Sequence, residues 1–360
     1  MKRSIFSLLL ALILLTAACA GAETTVIRMT CGGDALLGCN ERVRNEGYEY
    51  SYDRYIDENG YAYPFANLKE LFENDDVTLL NLEVVLADEA DAKAAKSRYC
   101  FRGPTRYTQI LKEGSVEVVN LANNHIMNHG QAGFDSTVKA LDDAGILYCG
   151  STEGGSYSCV YEVKGIKLGF VGIVPLYYSK SNKTVKDVEA RFQELKDQGC
   201  DLIIASLHCG KEYLAKHDDI HVKYEKICIK NGADLVIGTH PHVPQGIRVN
   251  NGVTHVFSLG NSSFGGNTGV DENLKVPQSF LASFDLYFED GVYTGHQLTI
   301  WPIYITGSYP VNDYQPRLVN GEEAEAVMKL IQKDTNFKLN PYVDGQGAVQ
   351  DFVPAPQKKQ

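Results

Sequence analysis

The sequence has few basic residues for its length. Its 360 residues include 34 Lys and Arg against 45 Asp and Glu, which gives a formal net charge of −11. The first 22 residues carry only two charges, Lys2 and Arg3, so a chain without them has 32 basic and 45 acidic residues and a charge of −13. Coating nucleic acid requires clustered Lys and Arg, so this composition argues against a nucleic-acid partner. It equally argues against simple electrostatic attachment to an anionic polymer.

Several common catalytic motifs are absent. The sequence has no G-x-S-x-G, no P-loop and no G-x-G-x-x-G, so serine hydrolase, NTPase and dinucleotide-binding functions lack support. It has no C-x-x-C pair either, which argues against a zinc ribbon or a thioredoxin-like site. Eight cysteines follow Cys19, most of them inside apolar runs. Free buried thiols fit this pattern at least as well as a disulfide framework, and both alternatives stay open.

The apolar run at the N-terminus is too short to cross a membrane. It covers the eleven residues 5–15, whereas a spanning helix needs about 20. Basic residues precede this run and small residues follow it, which is the order of a secretory signal peptide. We therefore predict that residues 1–22 are a signal peptide and that the protein is exported, to an extracellular or cell-surface location. Cleavage after Ala20 or Ala22 and lipidation of Cys19 are the alternatives for its N-terminus.

The rest of the chain alternates short apolar runs with amphipathic stretches, which predicts an α/β fold. We expect one domain over 23–345, because the candidate site residues described below must converge, and a disordered tail over 346–360. Hairpin turns are predicted at 250–252 and 289–291, where turn-forming residues separate two apolar runs. The predicted strands cover 26–30, 77–82, 116–121, 166–174, 202–207 and 235–237. The predicted helices cover 65–73, 133–143, 185–196, 220–230 and 322–332.

Polar side chains follow five predicted strands at the point where each strand ends. Open α/β sheets place ligand sites at the carboxyl ends of their strands, so we expect these side chains to lie close together. Carboxylate oxygens, an amide oxygen and imidazole nitrogens are ligands for a borderline or hard divalent cation. Such a set can hold two metal ions joined by a carboxylate, where water becomes a strong nucleophile. The candidate metal ligands are Asp34, Glu83, Asn124, His208, His240 and His242.

Each of these residues alone also has a structural explanation. Asp34 fits a turn or a helix cap, Asn124 fits a turn, and a lone His208 fits a hydrogen-bonded core histidine. Their joint order makes a shared metal site the better interpretation. Glycines at 32, 33 and 238 are expected to let the backbone turn tightly at these strand ends.

The order of these residues resembles the CapA family of poly-γ-glutamate capsule synthesis proteins, whose fold is similar to that of calcineurin-like metallophosphoesterases. The resemblance covers roughly residues 26–302 and depends on the motifs taken together. It implies a layered α/β sandwich of two mixed sheets flanked by helices. The matching segments are Gly33-Asp34-Ala35-Leu36-Leu37-Gly38, Asn81-Leu82-Glu83, Leu121-Ala122-Asn123-Asn124-His125, His208-Cys209-Gly210-Lys211-Glu212-Tyr213, Gly238-Thr239-His240-Pro241-His242 and Ser258-Leu259-Gly260-Asn261.

The resemblance also implies roles for individual residues. Glu83 takes the position of the bridging metal ligand, and His125 takes that of the catalytic acid that protonates the leaving group. The other five candidate ligands complete a site for two divalent ions, whose identity (Mn, Zn, Fe or Mg) stays open. The substrate-binding residues that the matching segments suggest are Asn81, Asn123, Glu212 and Asn261.

Three departures from the family pattern bear on activity. Ala35-Leu36 follows Asp34 where the wider superfamily has a second histidine ligand, and Glu83 replaces a bridging Asp. Asn128 stands where a carboxylate usually supports the catalytic histidine, unless Asp135 replaces that carboxylate. These departures keep two hypotheses open. One is a metal-dependent hydrolase that acts on a phosphoester or an amide. The other is a non-catalytic capsule factor that binds metal or an anionic polymer and works with membrane capsule-synthesis proteins.

A few further residues invite a functional interpretation. His217 and His221 have the spacing of a helical zinc pair, but Asp218 between them is typical of a helix start, which is the better explanation. Glu212 and Tyr213 fit the lining of a pocket and an exposed loop about equally well. Three arginines fit solvated charges somewhat better than an anion site, namely Arg98, Arg102 and Arg106.

Overall fold

The computed structural model describes residues 23–88, 98–150, 158–175, 182–266 and 277–357. The predicted signal peptide and Cys19 lie outside these residues. The strands within them are β1 Thr24–Leu36, β2 Cys39–Asn40, β3 Val77–Leu82, β4 Val85–Leu86, β5 Phe101–Gly103, β6 Val118–Asn120, β7 Leu147–Cys149, β8 Ser158–Val163, β9 Ile166–Ile173, β10 Leu202–His208, β11 Leu235–Thr239, β12 Ile247–Asn250, β13 Val253–Val256, β14 Asn261–Phe264, β15 Gln278–Glu289, β16 Val292–Tyr304, β17 Arg317–Leu318, β18 Ala348–Val349 and β19 Val353–Pro354.

Helices connect many of these strands. Predicted helix 65–73 is split in the structure, since a 3₁₀ turn at Tyr63–Phe65 precedes a separate short α-helix. None of the helices in the described ranges is long and apolar enough to cross a membrane. The α-helices of the described residues are α1 Glu41–Asn45, α2 Tyr52–Asn59, α3 Lys69–Glu73, α4 Thr108–Glu113, α5 Gly130–Ala144, α6 Asn182–Asp197, α7 Asp219–Asn231 and α8 Gly321–Asp334.

Two mixed sheets form the body of the molecule. The larger has ten strands in the order β17-β16-β15-β1-β3-β6-β7, with β14 added beside β1 and the two short C-terminal strands beside β16. The second has six strands in the order β12-β13-β11-β10-β9-β8. Strands β1, β3, β6 and β7 run parallel in the first sheet, as do β9, β10, β11 and β13 in the second. The predicted layered α/β architecture with two mixed sheets is therefore confirmed.

The hydrophobic residues of these strands divide between three packed layers. Met29 and Leu79 of the first sheet meet Phe170 and Ile204 of the second in a core between the sheets. Because successive side chains of a strand point to opposite faces, Leu80 on β3 faces the outer layer of helices instead. Helices α6 and α7 cover the outer face of the second sheet. Both sheets are thus buried on both faces. Polar side chains lie at the carboxyl ends of their strands.

Glycines at the strand ends serve close packing, not tight turning. Gly32 and Gly33 lie within β1 and Gly238 lies within β11, and none has a φ in the left-handed region, so the expectation that they form tight turns is wrong. A Cβ at Gly33 would lie 1.9 Å from the Gly260 carbonyl oxygen, and one at Gly238 would lie 2.0 Å from the Phe257 carbonyl oxygen. Neighbouring backbones approach so closely here that no side chain fits between them.

The C-terminal segment is ordered over part of the length that was predicted to be a disordered tail. Ala348 pairs with Ile300 and Val353 pairs with His296, both on β16. The expectation of disorder over 346–360 is wrong for these residues, because the exposed edge of β16 offers backbone hydrogen bonds that a local sequence pattern does not reveal. The two predicted hairpins are confirmed as β12–β13 and β15–β16.

Candidate metal centre

The ends of four strands bring the candidate ligands together. Asp34 follows a register shift in β1, and Glu83 comes directly after β3. His208 is the last residue of β10, and His240 and His242 come directly after β11. All five side chains are buried. Because β1 and β3 belong to one sheet and β10 and β11 to the other, the site lies where the carboxyl ends of strands from the two sheets meet.

Asp34 lies at the centre of this group. Its Oδ2 is 3.2 Å from His242 Nδ1 and accepts a hydrogen bond of 3.0 Å from the backbone N–H of His240. Its Oδ1 is 3.6 Å from His208 Nδ1 and accepts a bond of 2.7 Å from Asn81 Nδ2. Burial alone would raise the pKa of Asp34, but its close contacts with His208 and His242 outweigh burial and hold that pKa well below its usual range. Asp34 is therefore a fixed negative charge.

Glu83 differs from Asp34 in its pKa and in its lack of hydrogen bonds. Burial and the neighbouring charge of Asp34 raise its pKa, and neither carboxylate oxygen has a hydrogen-bond partner. Its Oε1 lies 3.5 Å from His208 Nε2, and its Oε2 lies 4.0 Å from His242 Nδ1. One ligand atom each from Glu83, His240 and His242 lies within 4.8 Å of the other two. A buried carboxylate without hydrogen-bond donors is costly, and a cation beside it, either a metal ion or protonated His208 and His242, reduces that cost. The donor set therefore fits a divalent metal ion.

The three histidines of the site differ in pKa, because this negative charge acts on two of them. Burial would lower the pKa values of His208 and His242, but the negative charges of Glu83 and Asp34 raise them to about 9 and about 10. Burial lowers the pKa of His240 to about 2. His208 and His242 therefore hold protons where a metal ion would need lone pairs, and metal and protons compete for them.

A layer of amides lies beneath the ligands. Asn81 Oδ1 accepts hydrogen bonds from Asn120 Nδ2 at 2.9 Å and from Asn123 Nδ2 at 3.4 Å. His208 Nδ1 is 2.9 Å from the Thr239 hydroxyl, so its Nε2 faces the site. Such partners fix the orientation of ligand rings. Asn120 and Thr239 were not predicted, although both lie within or beside the quoted motifs.

The four predicted substrate-binding residues occupy different places. Asn81 and Asn123 are buried under the site, where Asn81 donates a hydrogen bond to Asp34 and Asn123 donates one to the Leu82 carbonyl. Asn261 is buried as well, with Oδ1 2.9 Å from His242 Nδ1. Glu212 is exposed on the loop after β10. Its neighbour Tyr213 lies at the site, with its ring centroid 5.8 Å from that of His242.

His125 stands at the edge of the cluster. Its Nε2 is 3.9 Å from Glu83 Oε1, and its Nδ1 is 3.0 Å from Asn128 Oδ1. An amide oxygen only accepts hydrogen bonds, so Nδ1 carries a proton in this arrangement. Asn128 itself therefore fills the supporting position. Asp135 does not, because its carboxylate accepts a bond from Gln131 on the exposed face of α5. Asn124 Oδ1 completes the rim, 2.7 Å from His208 Nε2.

The remaining candidates lie outside the site. Asp218 caps α7 and accepts from the backbone of Ile220, which confirms the helix-start interpretation of the His217–His221 spacing. Arg102 is buried and paired with Glu41 through its Nε atom. Exposed Arg106 pairs with Asp57. The eight cysteines of the described residues are free thiols. On the β1 segment, Ala35 and Leu36 pack into the outer hydrophobic layer and supply no ligand.

Comparison with known proteins now identifies the family. The family model described as "Bacterial capsule synthesis protein PGA_cap" matches residues 28–265, which include every candidate ligand. The chain belongs to this family. The resemblance to CapA proteins that the motifs predicted is thereby confirmed, and capsule synthesis is the biological setting of the family.

Two curated relatives and one solved structure illustrate the similarity. The chain is 26% identical to "Capsule biosynthesis protein CapA" of Bacillus anthracis over 67% of its own length, and 27% identical to "PGA biosynthesis protein CapA" of Bacillus subtilis (strain 168) over 56%. It covers 61% and 56% of these relatives, less than two thirds of either. A crystal structure of a novel phosphatase from Mycoplasma pneumoniae aligns with a TM-score of 0.44 at 14% identity, over 86% of this chain and 100% of that one.

Proposed function

We propose that the protein is an exported, metal-dependent hydrolase of the capsule synthesis family that cleaves a phosphoester or an amide bond. One observation carries the proposal. Glu83 presents two buried carboxylate oxygens without hydrogen-bond partners to a ring of histidines from other strands. A protein that gained nothing from a cation here would do better with an uncharged side chain at this position.

The ligands would be Asp34, Glu83, Asn124, His208, His240 and His242, around one or two divalent ions. Bound ions of this kind polarise the bond under attack and lower the pKa of water. The protein's own groups do the rest. Asn81 and Thr239 hold Asp34 and His208 in place, and burial of the carboxylates keeps competing water away from them.

His125 is placed to deliver a proton to the leaving group from Nε2, and it does so in its doubly protonated form, because Nδ1–H is bonded to Asn128. Its side chain is 13% exposed, whereas those of Glu83, Asp34 and His208 are at 0%, so it faces the side from which a substrate arrives. The Asn128 oxygen fixes its ring with Nε2 toward the site. Positioned donors of this kind contribute about 10²–10⁴-fold to the rate.

The substrate class follows from charge. The protein is acidic overall, so an anionic polymer or phosphoester gains little attraction from the general surface. Divalent ions at the site would supply the positive charge that such a substrate needs. Capsule polymer, or a phosphorylated intermediate of its synthesis, matches both the charge and the family. Membrane capsule-synthesis proteins are the expected partners.

A direct test is to purify the protein and measure bound metal by elemental analysis. The same preparation is assayed with bis(p-nitrophenyl) phosphate, p-nitrophenyl phosphate and a γ-glutamyl anilide. We expect stoichiometric metal and hydrolysis of at least one substrate, both lost in His240→Ala. His296→Asn is the matched control, because His296 is a buried histidine bonded to Thr254 and Tyr293 in the middle of β16. Metal content unchanged in a folded His240→Ala variant would contradict the metal centre.

The non-catalytic alternative keeps one specific observation in its favour. Ala35 and Leu36 are buried in the hydrophobic layer, so β1 offers the ions fewer ligands than the superfamily pattern does. Replacing the chromosomal gene by Glu83→Gln or His125→Ala separates the two functions. Loss of capsule polymer in His125→Ala, which keeps all the proposed metal ligands, supports catalysis, whereas normal polymer production in that variant supports a binding role. Sequencing the N-terminus of the mature protein tests export and identifies cleavage or lipidation.

A further inference from the structure

We propose that Asp334, the last residue of helix α8, is a positioning residue for the metal centre. The helix lies beyond residues 28–265 that match the family model, so the family pattern assigns it nothing. The inference rests on the proposed metal site and concerns how the protein holds that site in shape.

Asp334 joins two loops that follow the ligands. Its Oδ2 accepts hydrogen bonds from the backbone N–H of His217 at 2.9 Å and from that of Gly246 at 3.1 Å. Its Oδ1 is 2.8 Å from His217 Nδ1. His217 belongs to the loop after His208, and Gly246 belongs to the segment after His242. One buried carboxylate therefore ties both ligand-bearing segments to the same helix end.

Two further hydrogen bonds join the same loops to each other. The backbone N–H of Tyr213 donates to the Pro241 carbonyl at 2.8 Å, and Gln245 Nε2 donates to the Leu214 carbonyl at 2.7 Å. Gly246 also packs against the helix end, since a Cβ there would lie 2.1 Å from the Asp334 carbonyl oxygen. Residues 209–218, residues 240–247 and the end of α8 are thus joined by hydrogen bonds, and we call this unit the clasp. Asp334 is the residue that joins both segments to α8.

The contact with Arg248 determines which ring nitrogen of His217 carries the proton. Arg248 Nη2 lies 3.0 Å from His217 Nε2 and only donates, so Nε2 is the acceptor and Nδ1 carries the proton toward Asp334. The ring also stacks on Phe257, with centroids 4.0 Å apart and an angle of 12° between planes. His217 is therefore a rigid part of the clasp and has no lone pair left for a metal ion.

The clasp matters because the ligand segment is strained. His240 has φ 99° and His242 has φ 58°, both in the left-handed region that side chains other than glycine rarely adopt. Such conformations are unfavourable and persist only when surrounding contacts enforce them. Without the clasp, the segment can relax toward ordinary backbone angles and carry the His242 ring away from Glu83.

The experiment measures binding of Mn²⁺ alone by calorimetry to the metal-free full protein and its variants. Asp334→Ala removes all three contacts. Asp334→Asn keeps an oxygen for the two backbone donors but turns an amide N–H toward the proton of His217. We expect Mn²⁺ affinity to fall about 10–100-fold in Asp334→Ala, as for other groups that orient ligands, and by less in Asp334→Asn.

Asp234→Asn is the matched control. Asp234 is also buried and accepts from a backbone N–H, that of Ile203 at 2.9 Å, but it precedes β11 at the opposite end of the strand from His240. Its variant should lose stability without losing Mn²⁺ affinity. Hydrogen exchange of the metal-free proteins should be faster over 209–218 and 240–247 in the Asp334 variants only.

The outcomes separate the two proposals. Wild-type protein that binds neither Mn²⁺ nor Zn²⁺, Fe²⁺ or Mg²⁺ contradicts the metal centre itself. Wild-type protein that binds Mn²⁺ while Asp334→Ala binds it equally well contradicts the clasp alone. If Asp334→Ala does not fold, Asp334→Asn decides, and wild-type affinity in that variant together with unchanged hydrogen exchange contradicts the inference.

Discussion

His125 Nδ1 lies 3.0 Å from Asn128 Oδ1, so an amide oxygen orients the candidate proton donor. An amide fixes the ring but offers no negative charge to stabilise its protonated form. Burial lowers the pKa of His125 to about 4, although the hydrogen bond to Asn128 acts in the opposite direction.

This pair gives the first prediction. His125→Ala should lower the hydrolysis rate by about 10²–10⁴-fold, the usual contribution of a positioned proton donor, while bound metal stays at the wild-type level. Asn128→Ala should cause a smaller loss because the ring is present but no longer oriented. Steady-state kinetics and elemental analysis check both variants. Asp135→Asn is the control, since that exposed side chain contacts only Gln131, and a rate loss there would contradict the assignment.

A second prediction concerns Glu83→Gln. The amide keeps the shape of the side chain but removes the buried charge, so divalent metal should no longer stabilise the protein. For the wild type, metal at 100 times its Kd should add about 2.7 kcal/mol to the free energy of unfolding. Urea unfolding with and without Mn²⁺ measures the difference. An equal metal response in the variant would show that Glu83 is not a ligand.

Close backbone contact at the strand ends gives a third prediction. Gly33→Ala should destabilise the protein by about 1–3 kcal/mol or more, because the added Cβ overlaps the Gly260 carbonyl and one strand must move. The control is Gly307→Ala, where the nearest atom to the added Cβ is a side-chain oxygen of Asp313 at 3.3 Å. Urea unfolding of metal-free proteins compares them, and similar losses in both would contradict the packing argument.

Glu225 gives a pH prediction away from the site. Burial would raise its pKa, but hydrogen bonds from His255 and Asn250 and the charge of Arg248 lower it from 4.5 to about 2. The stabilisation is therefore complete above the unfolded-state pKa and is lost as the pH falls toward the folded-state pKa. Glu225→Gln should cost about 3 kcal/mol at neutral pH and less than half of that at about pH 3. A pH-independent difference in unfolding free energy would contradict this.

Much of the candidate site could be predicted because it obeys a local rule. Asp34, Glu83 and His208 each stand where an apolar run ends, and parallel strands bring such ends together whatever the intervening sequence is. Asp334 could not be predicted this way. It lies far from His217 in sequence and on a separate helix, so nothing near either residue signals their contact.

The same distinction explains the wrong expectations. A glycine is visible in a sequence, but whether Gly33 serves a turn or a close approach depends on where the Gly260 backbone lies. The prediction of a disordered C-terminal tail is wrong for the same reason. Val353 is ordered by pairing with the edge of β16, and its neighbours in the sequence do not reveal this pairing. Local patterns predict strands and their ends, whereas contacts between distant segments require the fold.

The pairing of β1 has a consequence for the order of assembly. Asp34 is aligned with Asn81 on one side and with Asn261 on the other, so its immediate surroundings come from segments that are far apart in the chain. Such distant pairings are slow to form, because long stretches of chain must be closed into loops first. We therefore expect the ligand set to become complete only late in folding. A metal ion would then bind only to molecules that have already folded, and it could not guide the folding of molecules in which the ligands are still apart.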